Sequence, residues 1–231
     1  MTNRCYIFTH PVRTLLFLFL VFNILSCGEK NAEENSNQKI SEFEQDKFYK
    51  ILILGDSLTE GYGVDESEAY PTLLQEKLNH ELSLKLGKKF KIINGGISGS
   101  TTSGGVSRIE WFLKSDPNFL ILALGGNDGL RGIPVKQIKA NLIRVINAAK
   151  GNQMPVLLAG MKIPPNYGLA YSQAFSELFP ALADEFDIPL IPFLLEGVGG
   201  NPEMNLPDRI HPNAKGHQLI CEVVYRSLTP F

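Results

Sequence analysis

The chain has 231 residues, with 22 Lys or Arg against 24 Asp or Glu, a net charge of −2 and a pI of about 6.1. So balanced a charge, with no basic stripe anywhere, excludes nucleic acid as a partner. The cysteines at 5, 27 and 221 have no paired metal-binding spacing, and no His-Glu-x-x-His is present, so neither a metal nor another cofactor is expected.

The first 26 residues are read as a signal peptide. Arg4 and Arg13 supply positive charge, and Leu15–Leu25 is an apolar run broken only by Asn23. A run of about 11 residues suits a signal core and falls short of the roughly 20 that a membrane span needs. It closes in Ile24-Leu25-Ser26-Cys27-Gly28, which resembles a bacterial lipobox, with Ile24 where leucine is commoner. On that reading Cys27 becomes the acylated first residue of the mature chain, and its lipid makes the membrane a partner. No Asp follows Cys27, so the expected address is the cell envelope, at the outer membrane or the periplasmic face. An ordinary secretory signal with an incidental cysteine, or an uncleaved anchor, is the alternative.

Residues 27–48 then form a tether, because Glu29–Lys47 carries too few large apolar side chains to offset the entropy of ordering. The domain proper spans 49–231, a usual size for one core. With Cys5 removed and Cys27 capped, Cys221 has no partner for a disulfide. It is expected as a small buried apolar residue in a C-terminal helix.

Within the domain, short apolar runs alternate with longer periodic stretches. Ile51–Leu54, Phe90–Ile93, Phe119–Leu124, Val156–Ala159 and Pro189–Ile191 read as strands bounded by Gly, Pro, Asn or Asp. Four helical stripes lie between or after them: Tyr70, Leu73, Leu74, Leu78 and Leu82; Ile138, Leu142, Val145, Ile146 and Ala149; Tyr171, Phe175, Leu178, Phe179, Leu182 and Phe186; and Ile220, Val223, Val224 and Leu228. Strands apolar on both faces imply a parallel sheet covered by helices, an α/β fold. Ligands of such sheets bind beyond the carboxyl ends of the strands, which places Ser57, Gly95–Gly105 and Gly125–Asp128 along one edge.

Gly55-Asp56-Ser57 follows the first strand, where Asp and Ser serve equally well as caps or as turn formers. Position 59 is Thr, so the Gly-x-Ser-x-Gly elbow of the larger α/β-hydrolases is absent. Asn94-Gly95-Gly96-Ile97-Ser98-Gly99-Ser100 lacks the Gly-Lys-Ser/Thr of a phosphate loop, and Gly99 is either part of a turn or a backbone amide open to a substrate oxygen. Asn127 is either a turn former or an amide donor aimed into the cleft. Asp208 and His211 are either a helix entry, with Asn213 as cap, or a catalytic pair on one loop. In the second reading His211 deprotonates Ser57 and Asp208 fixes the imidazole. His80 and His217 are read as surface or packing residues.

Taken in this order, each block following a strand, these motifs resemble the SGNH (GDSL) hydrolase family. Gly125–Gly132, Lys162–Gly168 and Glu185–Phe193 are similar to its periplasmic acyl-CoA thioesterase/lysophospholipase branch, over roughly residues 50–228. The resemblance implies a flavodoxin-like three-layer αβα sandwich on a five-stranded parallel sheet, and a monomer that hydrolyses acyl esters and thioesters. It makes Ser57 the nucleophile, His211 the base and Asp208 the third triad member. The Ser57 amide, Gly99 and Asn127 form the oxyanion hole, and the loop Gly129–Pro134 moves over the bound acyl chain. In this branch the second block reads Ser-Gly-Asp or Ser-Gly-Glu, whereas here it is Ser98-Gly99-Ser100. The envelope address favours lysophospholipids or other lipid esters as substrates. A carbohydrate O-acetylesterase on the same fold is the alternative among enzymes, and a non-catalytic surface-binding lipoprotein the alternative outside them.

Overall fold

A computed structural model describes residues 48–228. The signal segment, Cys27 and the tether lie outside the described residues, apart from Phe48, which opens the first strand one residue before the expected boundary.

Five strands, β1 (Phe48–Gly55), β2 (Lys89–Gly96), β3 (Phe119–Ala123), β4 (Val156–Ala159) and β5 (Leu190–Ile191), form one all-parallel sheet in the order β2-β1-β3-β4-β5. The cause is visible in the central strands. Leu52–Leu54 and Leu120–Leu122 are wholly buried, so neither face of the sheet can be left to water. Parallel neighbours require crossovers, and helices supply them. Packed together are α2 (Tyr70–Glu81) and α8 (Ala214–Leu228), while α4 (Thr102–Leu113) packs on α6 (Val135–Gly151), and α6 on α7 (Leu169–Phe186). The α6 stripe Ile138, Leu142, Val145, Ile146 and Ala149 is fully buried, and Cys221 is buried on α8 as a small apolar residue. The other stripes hold with softer margins: Leu73, Leu82, Tyr171, Phe186 and Leu228 are only half-buried, because they sit where a helix face turns toward solvent. Two further short helices, α1 (Ser57–Glu60) and α3 (Ser83–Leu86), have no periodic signature, being a single turn each.

Register decides where chemistry is placed. Gly55 pairs with Gly96 on one side and with Ala123 on the other, so β1, β2 and β3 end level. The chain segments that leave these ends hold Ser57, Gly99 and Asn127. Gly96 has a specific task there: a Cβ would lie 2.1 Å from the Glu60 backbone nitrogen. Only glycine lets α1 rest on the end of β2.

Candidate active site

The nucleophile candidate is set by a helix start. Asp56 caps α1, its Oδ1 accepting from the Leu58 N–H at 3.0 Å. Gly61, left-handed at φ +88°, ends the helix one turn later. Ser57 therefore sits in a single rigid turn straight off β1, 8 % exposed.

His211 Nε2 lies 3.1 Å from Ser57 Oγ, and His211 Nδ1 lies 2.7 Å from Asp208 Oδ2. Asp208 also accepts from the backbone N–H groups of His211 (3.0 Å) and Ile210 (2.9 Å). The His211 backbone bond, then the ring bond, then the Ile210 bond hold its carboxyl down at about 2. A carboxylate so fixed demands a proton on Nδ1, which leaves Nε2 free to accept from the serine. The turn between them runs through Arg209 at φ +60°, a strained value for a residue with a Cβ. The Tyr62 ring packs on the imidazole, with centroids 4.4 Å apart. Asn213 caps α8 through the Gly216 N–H (3.1 Å), so this segment is both a helix entry and the site of the pair.

Gly99 is left-handed at φ +73°, and its carbonyl accepts from Arg131 at 3.0 Å. Its amide face carries no side chain. Asn127 stands in the first turn of α5 (Gly126–Leu130), and its Nδ2 donates to Asp56 Oδ2 at 3.3 Å. The loop Gly129–Pro134 is tied by Arg131 to Gly99, by the Tyr167 hydroxyl to the Leu130 carbonyl (3.1 Å) and by the Tyr171 hydroxyl to the Ile133 carbonyl (2.6 Å). Around the mouth, Tyr62, Ile97, Leu130, Tyr167 and Ile210 stay exposed, an apolar rim on segments that follow the strand ends. His80 is exposed. His217 is wholly buried: its Nδ1 accepts from the Tyr70 N–H (3.2 Å), and Tyr70 reaches Thr59 Oγ1 (2.7 Å).

Sequence reasoning missed two groups here. Glu60 accepts from the Ser98 N–H at 2.8 Å and from the Ser98 hydroxyl, joining α1 to the Gly99 loop. Arg108 donates to the carbonyls of Gly104 (3.1 Å), Gly95 (2.9 Å) and Gly55 (3.2 Å), and to Ser100 Oγ (2.8 Å). It thereby ties the ends of β1 and β2 to the residue after Gly99. Ser100, unusual for the branch it resembles, thus gives this guanidinium a neutral partner. Ser100→Asp is expected to create a half-buried ion pair and raise stability by about 0.5–1 kcal/mol, or roughly 1–4 °C in Tm. Thermal melting of the two proteins checks this; an unchanged or lowered Tm would remove the pairing account.

A parallel α/β sheet that lines up serine, imidazole and carboxylate at its carboxyl edge has the arrangement of a serine-type ester hydrolase. Comparison with known proteins narrows the class. The GDSL-like lipase/acylhydrolase family matches residues 53–219. An arylesterase of Vibrio mimicus is 38% identical over 180 residues, covering 78% of this chain and 88% of that one. Thioesterase 1/protease 1/lysophospholipase L1 of Escherichia coli K12 is 38% identical over 181 residues, covering 78% of this chain and 83% of that one. A crystal structure of TesA superposes with a TM-score of 0.73 at 38% identity, over 78% of this chain and 98% of that one. The chain belongs to the GDSL-like lipase/acylhydrolase family and is an esterase of the SGNH fold.

Proposed function

We propose that Ser57 attacks the acyl carbonyl of a lipid-like ester or thioester, with His211 as base and Asp208 as its orienting carboxylate. The observation that carries this reading is the unbroken line from Asp208 through His211 to Ser57 Oγ, at 2.7 and 3.1 Å. In the first step the serine proton passes to His211 Nε2 while Oγ bonds to the carbonyl carbon. The negative oxygen so formed is met by the amides of Ser57 and Gly99 and by the Asn127 side chain. Collapse expels the alcohol or thiol, which takes the proton from His211 and leaves acyl-Ser57. Water then repeats the sequence, giving its proton to His211, and the acid departs as Ser57 recovers its hydrogen.

The apolar rim supports acyl chains longer than acetyl, and lysophospholipids suit it, as do aryl esters and acyl thioesters. A series of p-nitrophenyl esters from acetate to palmitate tests this choice. Activity is expected to peak at medium or long chains; an acetate-only profile would favour the O-acetylesterase. A serine-reactive fluorophosphonate is expected to label Ser57, and a protein that acts only as a binding module would stay unlabelled.

On the same reading Cys27 carries the lipid that holds the enzyme to the envelope membrane, since the lipobox-like run supplies the modification signal. Cells fed labelled palmitate should label the wild-type chain and not Cys27→Ala. Equal labelling of both would end the anchor proposal.

A further inference from the structure

We propose that Asp56 is a positioning residue for the reaction: it selects the amide orientation of Asn127, so that Nδ2 and not Oδ1 is offered to the oxyanion. The inference rests on the functional reading above, in which Asn127 is an oxyanion donor.

Asp56 is 2 % exposed and directly precedes Ser57. Both carboxylate oxygens are engaged, Oδ1 by the Leu58 N–H and Oδ2 by Asn127 Nδ2. The approach is uncrowded: even a Cβ at Gly126 would stand 3.4 Å from Oδ2, an ordinary contact. Capping α1 does not require a carboxylate, since serine or asparagine caps a helix about as well. Burying one is costly, and here burial outweighs the two hydrogen bonds and raises the acid to about 6. The charge needs a second purpose, and Asn127 provides it.

An ionised carboxylate only accepts, whereas a carboxamide presents an acceptor on one side and a two-hydrogen donor on the other. With Oδ1 of Asn127 turned toward Asp56, two acceptor oxygens would face each other. The bond at 3.3 Å thus fixes which end of the amide faces Asp56. One Nδ2 hydrogen goes to Asp56. The second remains, and because the amide is planar its direction follows from the first. Asp56 in this way couples the helix that carries Ser57 to the aim of a donor 71 residues further along the chain.

Asp56→Asn is the discriminating change. It keeps the volume and the helix cap, but with Oδ1 on Leu58 it turns an NH2 group toward Asn127. Asn127 then meets it with Oδ1, and an acceptor is left facing the oxyanion. We expect kcat on p-nitrophenyl butyrate to fall about 100-fold with KM little changed, comparable to the 10²–10³ typical of a lost oxyanion donor. In an Asn127→Ala background the same substitution should cost less than threefold. Thermal melting run beside the kinetics separates this from loss of fold; if Asp56→Asn does not fold, Asp56→Ser, which keeps a capping oxygen without reaching Asn127, carries the same cycle. Wild-type kcat in Asp56→Asn with a slow Asn127→Ala would overturn the role of Asp56 and leave the oxyanion hole standing. An equal cost in both backgrounds would do the same. Full activity in Asn127→Ala would overturn both together.

Discussion

Ser57→Ala should lower kcat for p-nitrophenyl butyrate by at least about 10⁴-fold while the protein melts within a few degrees of wild type. Only one atom, Oγ, is removed. It stands at the edge of the cleft, and its bond to His211 is an interaction of about 1 kcal/mol in stability terms. On the proposed mechanism the same atom is indispensable, because no other hydroxyl lies within hydrogen-bond distance of His211 Nε2 among the described residues. What survives should be the modest acceleration that binding and an oxyanion hole provide alone. Turnover and melting are measured on the same preparation. Retention of a tenth of the wild-type rate would remove Ser57 from its role, whatever the distances say.

The largest expected effect on stability lies at two buried groups that titrate in opposite senses. Burial lowers His217 to about 4, against an unfolded value of about 6.5. Between those values the unfolded chain binds a proton that the folded one refuses, so this contribution is whole above pH 6.5 and is lost as pH falls toward 4. Its size is about 3 kcal/mol. Burial is the cause: Nδ1 is occupied by the Tyr70 N–H, and among the described residues buried Nε2 has no hydrogen-bond partner to offset the loss of water. Asp56 runs the other way. Raised to about 6 from an ordinary 3.8, it takes up a proton on acidification before the unfolded chain does. Stability therefore rises by about 3 kcal/mol as pH falls from 6 toward 3.8. Over this window the two nearly cancel. His217→Asn should gain stability relative to wild type on going from pH 7 to 4.5, and Asp56→Asn should lose it, each by about 2–3 kcal/mol. Urea unfolding at the two pH values reads the difference directly. Variants that track wild type at both pH values would show that neither group titrates in this window.

Much of this was legible because the relevant signals are local. The runs 51–54, 119–124 and 156–159 are apolar at every position, which only a strand covered on both faces requires, and each marks a strand of the sheet. Asp208 and His211 are spaced three residues apart within one turn, and Ser57 sits two residues beyond a strand, so pattern brought all three forward as candidates and the family resemblance gave them roles. What escaped was long-range. Nothing near Arg108 announces that its guanidinium will gather carbonyls from two strand ends, one of them 53 residues earlier. Asp56 looked like a cap, which it is; its grip on Asn127 depends on β1 and β3 ending level, a fact of register. His217 carries no sequence mark of its burial against Tyr70. Glu60 and Ser98 meet only because Gly96 lets α1 settle on β2.

The separation of 154 residues between Ser57 and His211 also bears on timing. The chain is made from its N-terminus, and domains form as they emerge. Ser57 and the sheet centre are made long before His211, which lies between β5 and α8 and meets Ser57 only across the fold. A chain interrupted before residue 211 carries Ser57 without the base proposed for it. On the proposed mechanism, efficient ester cleavage therefore waits until His211 has joined the fold. Appearance of turnover would then mark the moment the segment between β5 and α8 docks, which makes activity a clock for that step of folding.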